Sequence, residues 1–186
     1  WNNYSNIYWD AIKGTIVDPG APADLLDYSE VSFLLAEAVE RGFISGTAAD
    51  YYNAGVTASI EYWGGSSGDA SAYLGQAKVA YATAPGGVGV GAIGSTGVNT
   101  TGVQWKQAIG LQKYFALYPR GMDAWVEIRR LQYPAMAVPT NAKTPFPWRY
   151  TYPSDEQTAN GSSYKAAVTA LGGNGDVVTT KLFWMQ

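Results

Sequence analysis

The chain has 186 residues, room for one compact core or two small ones sharing an interface, and its 12 basic and 15 acidic residues give a formal charge of −3. It contains no cysteine and no histidine, which excludes disulfides, thiolate nucleophiles, serine–histidine triads and imidazole-held metals within the chain. The slight acidic excess, with one basic doublet at Arg129-Arg130, argues against a nucleic-acid partner, because tracking phosphates takes clustered Lys and Arg.

No run of 18 apolar residues occurs, so no helical membrane span is expected. The chain opens at Trp1 without the charged-then-apolar pattern of a signal peptide and is expected to be a mature form or an excised piece. Asp27 with Glu30 has the form of a capping box ahead of a helix from about Tyr28 to Arg41, closed by Gly42. Val31, Leu34, Leu35, Ala38 and Val39 are expected to share its buried face. Thr47 with Asp50 opens a second helix through Tyr51, Val56, Ile60 and Trp63, stopped by Gly64-Gly65. Joined by the short link from Phe43 to Gly46, the pair has about the length of a tetratricopeptide unit, with that repeat's fingerprint poorly matched.

From Gly64 to Gly102 the chain is rich in Gly, Ser, Thr and Ala, and reads as a long loop with a short helix near Ala70 to Gln76. A third helix starts at Thr101 with Gln104, runs through Trp105, Ala108, Ile109, Gln112 and Phe115, and ends at Pro119. Its partner spans about Met122 to Gln132, with Trp125, Ile128 and Leu131 as the buried stripe and Pro134 as the stop. Prolines from Pro134 to Pro153 make the next segment extended. Ser162 to Leu171 is a last helix closed by Gly172-Gly173.

The run Gly89 to Gly94 has the spacing of a dinucleotide-binding turn, but neither a strand before it nor a helix after it is expected, so it reads as loop. No cofactor is implied. A glycosidase would need two carboxylates roughly 5 to 10 Å apart, and the candidate pairs are Glu37 with Glu40, Asp123 with Glu127, and Asp155 with Glu156. The first two lie one turn apart on helices, where solvated faces and ion pairs such as Glu127 with Arg130 explain them. An oxygen-only calcium site near Asn174 and Asp176 matches no derivable loop, so no metal is assigned. The triplets at Asn99 and Asn160 carry no weight as glycosylation sites.

Seven tryptophans and fourteen tyrosines suit either a bulky core or a surface that stacks on ring-shaped ligands. The doublets Tyr51-Tyr52 and Tyr62-Trp63, with Tyr73 and Tyr81, are the candidates for stacking on sugars, set against the alternative that these rings pack. Trp63, Tyr73 and Tyr81 are the expected glycan-contacting residues. Trp105 and Trp125 lie on amphipathic stripes and are expected in the core.

The order of these pieces resembles a known family. Ser29-Glu30-Val31 leading to Ala36-Glu37-Ala38, then Gln112-Lys113, Trp125, Arg129-Arg130, Arg149-Tyr150, Tyr152-Pro153, Glu156 and Asn160, with a closing KLFWMQ, resemble the C-terminal part of the SusD/RagB family over about Asp27 to Gln186. Trp1 to Ile16 resembles an aromatic helix found much earlier in such proteins, so sequence is expected to be missing near Asp18 to Asp27. The resemblance implies an all-α fold of tetratricopeptide-like helical hairpins with long irregular loops, forming one SusD-like domain over 1–186 that is a fragment of a longer chain. It implies a non-catalytic surface lipoprotein of the outer membrane, anchored by a lipidated cysteine absent here. Such a protein captures an oligosaccharide or polysaccharide, in some members a peptide, for a SusC-like TonB-dependent transporter. Arg149, Tyr150 and Glu156 would then pin the extended segment. The alternatives are a helical protein-interaction module that binds no small ligand, and a glycoside hydrolase working through Asp155 or Glu156.

Overall fold

A computed structural model describes residues 24–81, 92–93 and 104–185. The Trp1 to Ile16 helix, most of the Gly89 to Gly94 run, the Asn99 triplet and the helix start at Thr101 lie outside the described residues. Seven α-helices carry the described chain, with two two-residue strands, Ala92–Ile93 and Ala135–Met136, paired in parallel. The all-α class is thus the observed one.

The helix Tyr28–Glu40 (α1) begins where the capping box is read: the Asp27 carboxylate accepts from the Glu30 backbone N–H at 2.6 Å. It ends in a Schellman turn in which Phe43 N–H donates to Ala38 O and Gly42 N–H to Val39 O, both at 2.9 Å, with Gly42 at φ +72°. The helix Ala48–Tyr62 (α2) ends the same way, through Gly64 and Gly65 onto Glu61 and Ile60. Thr47, expected to cap it, makes no side-chain cap bond.

The buried face of α1 differs from the expected one. Ser29, Ser32, Phe33, Ala36 and Glu37 are buried, whereas Leu34 and Leu35 are exposed. The polar members tolerate burial because each has a partner: Ser29 Oγ donates to Gly55 O at 2.8 Å, Ser32 Oγ to Tyr28 O at 2.8 Å, and Glu37 accepts from two arginines. Gly55 lets the two helices close, since a Cβ there would stand 3.0 Å from the Phe33 ring. Phe33, Tyr52 and Val56 of this hairpin form the core with Ala108, Ile109, Ala116 and Leu131.

A short helix, Ser67–Leu74 (α3), starts slightly earlier than predicted, at a reciprocal capping box between Ser66 and Asp69. The segment after it crosses back over α2, where Tyr52 Oη donates to Val79 O at 2.8 Å.

The second hairpin consists of Gln104–Ala116 (α4) and Gly121–Leu131 (α5). Ile128 and Leu131 are buried as expected, but Trp125 is only half-buried, because its indole lies at the edge of the packed face and donates to Pro147 O at 2.9 Å. Trp105 is likewise half-buried, packed against the core with the Arg41 guanidinium 5.1 Å from its ring centre. Of the residues read as carrying α4, Ala108, Ile109 and Gln112 are buried and Phe115 is exposed, while Gln107 and Lys113 are buried beside them.

Charge joins the hairpins. Arg130 on α5 grips Glu37 on α1 through both terminal nitrogens and also reaches Glu127 at 2.6 Å. Lys113, 1 % exposed at its side chain, lies 3.2 Å from Glu127. Arg120 bonds Glu30 at 2.7 Å and the capping Asp27 at 3.2 Å. Burial tends to raise the Glu37 carboxyl, but the hydrogen bonds and charges of Arg130 and then Arg41 bring it below its ordinary 4.5.

After the hairpins the chain is extended to Pro153, and then forms Ser154–Ala159 (α6) and Gly161–Leu171 (α7). The first of these was not expected, because Pro153 reads as extended chain; here it stands just before the helix, where its missing N–H costs nothing. Gly172 ends α7 at φ +73°. Arg149, 5 % exposed, pins this region by donating to Asp176 at 2.5 Å.

Candidate functional site

An apolar groove of about 670 Å³ runs along the side of the second hairpin. Three helices supply its wall. Gly121, Ala124, Trp125 and Ile128 of α5 repeat at helical spacing and so present one stripe. Tyr114, Phe115, Leu117 and Tyr118 come from the end of α4 and the turn after it, and Trp63 from the cap of α2. Trp63 stands with its ring centre 5.6 Å from Tyr118 and 5.1 Å from Tyr62. The Tyr62 hydroxyl donates to Asp24 at 2.6 Å. Volumes of roughly 300 to 1,000 Å³ are typical of small-ligand sites.

The three rings picked from the sequence do not converge. Trp63 lines the groove. Tyr73 lies against the core and exchanges a hydrogen bond with Gln112, whose amide donates to its oxygen at 3.0 Å. Tyr81 packs on Tyr52 with ring centres 4.8 Å apart and donates to Glu40 at 2.6 Å. Burial, then the Glu40 carboxylate, pushes the Tyr81 phenol well above its ordinary 10.0. The groove rings on α4 were legible only as a Tyr-Phe doublet at the end of a helix, and nothing in the sequence separates them from core.

Most of the carboxylates weighed as catalytic pairs have partners. Glu37 is bound by Arg41 and Arg130, Glu127 by Arg130 and Lys113, and Asp123 lies 3.7 Å from Arg120. Glu156 accepts from Asn160 at 3.1 Å, a bond within one helix end, so it does not pin the extended segment as expected. Tyr150 is 72 % exposed and pins nothing by burial; its ring lies 5.2 Å from Trp125. Asp176, next to the unassigned calcium candidate, receives Arg149, the Tyr152 N–H at 3.1 Å and the Tyr164 hydroxyl at 3.3 Å. Burial tends to raise this carboxyl, and those partners hold it below its ordinary 3.8. Among the described residues no group of acidic side chains could hold a metal ion, and no helix is long and apolar enough to cross a membrane.

Comparison with known proteins places this scaffold. Residues 2–153 match the model of the SusD-like family described as starch-binding and associating with the outer membrane. A SusD homologue from Parabacteroides distasonis is 31% identical over 91% of this chain and 35% of its own, with a TM-score of 0.63. A SusD homologue from Bacteroides fragilis is 28% identical over 89% of this chain and 35% of its own, with a TM-score of 0.63. A chitin-binding SusD homologue from Flavobacterium johnsoniae is 25% identical over 87% of this chain and 36% of its own, with a TM-score of 0.62. The chain thus spans roughly a third of the length of these solved relatives. No match is found among curated proteins.

Proposed function

Because the chain belongs to this SusD-like family, we propose that the protein captures an oligosaccharide at the outer membrane and releases it uncleaved. The observation that carries the reading is the groove, where Trp63 and Tyr118 stand 5.6 Å apart on an open apolar wall. Flat aromatic faces suit the C–H faces of pyranose rings, whose hydroxyls remain at the solvent side. Of the three rings read from the sequence, the proposal rests on Trp63. Tyr73 and Tyr81 have their hydroxyls engaged by Gln112 and Glu40, which supports a scaffold role for both.

A non-catalytic role is supported by the environment of two of the candidate carboxylates, since Glu37 and Glu127 are largely buried and paired with cations. The partner and the anchor are finer readings that rest on family resemblance: a SusC-like TonB-dependent transporter receives the sugar, and a lipid anchor keeps the protein on the cell surface. Copurification of the intact protein with an outer-membrane barrel tests the first.

Calorimetric titration of the intact protein with maltohexaose and chitohexaose tests capture. Binding to at least one is expected, and Trp63→Ala should weaken it about tenfold, the change that a stacking contact of about 1.4 kcal/mol produces. Heat from neither sugar overturns the reading in favour of a protein-interaction module. Release of shorter sugars from either would revive a hydrolase.

A further inference from the structure

The second tryptophan of the groove is held in an unusual way. The Arg129 guanidinium carbon lies 3.7 Å from the centre of the Trp125 ring and 5.2 Å from that of Trp184. The indole N–H of Trp125 is tied to Pro147 O at 2.9 Å, and Tyr150 leans on the ring at 5.2 Å with a 59° tilt. A cation, a carbonyl and a neighbouring ring therefore fix an indole that still lines the groove.

Arg129 itself stands apart from the other four arginines. Arg41, Arg120, Arg130 and Arg149 each pair with a carboxylate. Arg129 is only 8 % exposed, yet among the described residues no carboxylate pairs with it; one terminal nitrogen donates to Trp148 O at 3.1 Å and its Nε has no partner. A desolvated cation left without a counter-charge is costly, and its main compensation here is the two indole faces. Such an arrangement gives Arg129 little value as a surface charge and much as a clamp on Trp125.

We propose that Trp125 is a second sugar-stacking platform of the groove and that Arg129 is its positioning residue, setting the ring before ligand arrives. The inference rests on the capture reading above and deepens it. With Trp63 and Tyr118 in mutual contact and Trp125 lining the same groove from α5, the groove offers more than one ring to a bound oligosaccharide. A ring already immobilised loses little rotamer freedom on binding, which is the advantage of preorganisation.

The test is a double-mutant cycle on the intact protein, titrated with maltohexaose and chitohexaose. Trp125→Ala should weaken binding about tenfold by losing a stacking contact. Arg129→Lys keeps the charge but loses the flat guanidinium, and should weaken binding severalfold. In a Trp125→Ala background, Arg129→Lys should have no further effect, whereas a merely structural role would add its loss to the first. Unchanged affinity in Trp125→Ala, or a loss from Arg129→Lys that persists in that background, overturns the inference. If Trp63→Ala weakens binding while Trp125→Ala does not, only this inference fails; if the unsubstituted protein binds neither sugar, the capture reading fails and this falls with it. Should the variants not fold, a co-crystal of the unsubstituted protein with the sugar it binds decides: a pyranose over Trp125 supports the platform, and a ligand seated elsewhere overturns it.

Discussion

Arg130, near the end of α5, holds the Glu37 carboxylate of α1 in a two-pronged grip, and the same guanidinium reaches back to Glu127 one turn away on its own helix. This contact joins the first helical hairpin to the second. Its residues come from two of the motifs by which the sequence resembles its family, so those motifs build the scaffold.

Glu37→Gln should therefore destabilise the protein by about 2 to 4 kcal/mol, because it leaves Arg130 and Arg41 facing a neutral amide in a site where Glu37 is 4 % exposed. Urea unfolding followed by circular dichroism measures this. Arg130 retains Glu127, so the loss should stay below that for removing both carboxylates.

The same carboxylate fixes an acid limit. Its folded-state value lies below the ordinary 4.5, so the unfolded chain takes up its proton first as pH falls. The stability it contributes is complete above about pH 4.5 and is lost as pH falls through the lowered folded value. Stability of the unsubstituted protein should decline with acid in this window, and the decline should be shallower in Glu37→Gln.

Tyr52 tests the strap that follows α3. Its ring is fully buried and its hydroxyl donates to Val79 O, so Tyr52→Phe leaves a carbonyl without its donor and should cost about 1 to 2 kcal/mol. Burial pushes the phenol well above its ordinary 10.0, with a smaller contribution from Tyr73. The folded state thus keeps a proton that the unfolded chain gives up, and the associated stability holds below about pH 10 and is lost as pH rises toward the raised value. Thermal melts of both proteins between neutral and alkaline pH should converge as that contribution disappears.

Gly55→Ala examines how closely α1 and α2 pack. The new methyl would meet three atoms of the Phe33 ring at 3.0 to 3.1 Å, and that ring is fully buried. Displacing it should cost about 1 to 3 kcal/mol, read as a lower urea midpoint with an unchanged slope. Gly42→Ala gives a contrasting case: nothing lies within 4 Å of its Cβ, but φ is +72°, so a penalty of about 1 kcal/mol should arise from the backbone alone.

Helix starts and stops were legible because their chemistry is local. Asp27 with Glu30, Gly42, Gly64 and Gly172 each act within a few residues, and each stands where it was read. Which face of α1 is buried was not legible. Leu34 and Leu35 outrank Ser29, Ser32 and Glu37 on any hydrophobic scale, yet the polar residues are inside because Gly55 O, Tyr28 O and the two arginines satisfy them. The helix Ser154–Ala159 escaped for a related reason, since a proline signals extended chain from one side and helix start from the other.

The amino-acid sequence on its own settled the helical class, the hairpin order and the family, because these follow from caps, breakers and residue order along the chain. Which rings share a groove was decided by the tertiary structure. Trp63, Tyr118 and Trp125 come from the cap of α2, the turn after α4 and the face of α5, and they meet only because charge and core packing bring the hairpins together. Tyr73 and Tyr81 look the same in sequence, but the partners that took their hydroxyls, Gln112 and Glu40, lie far away along the chain. Periodicity along one helix carries no information about a neighbour that arrives from another.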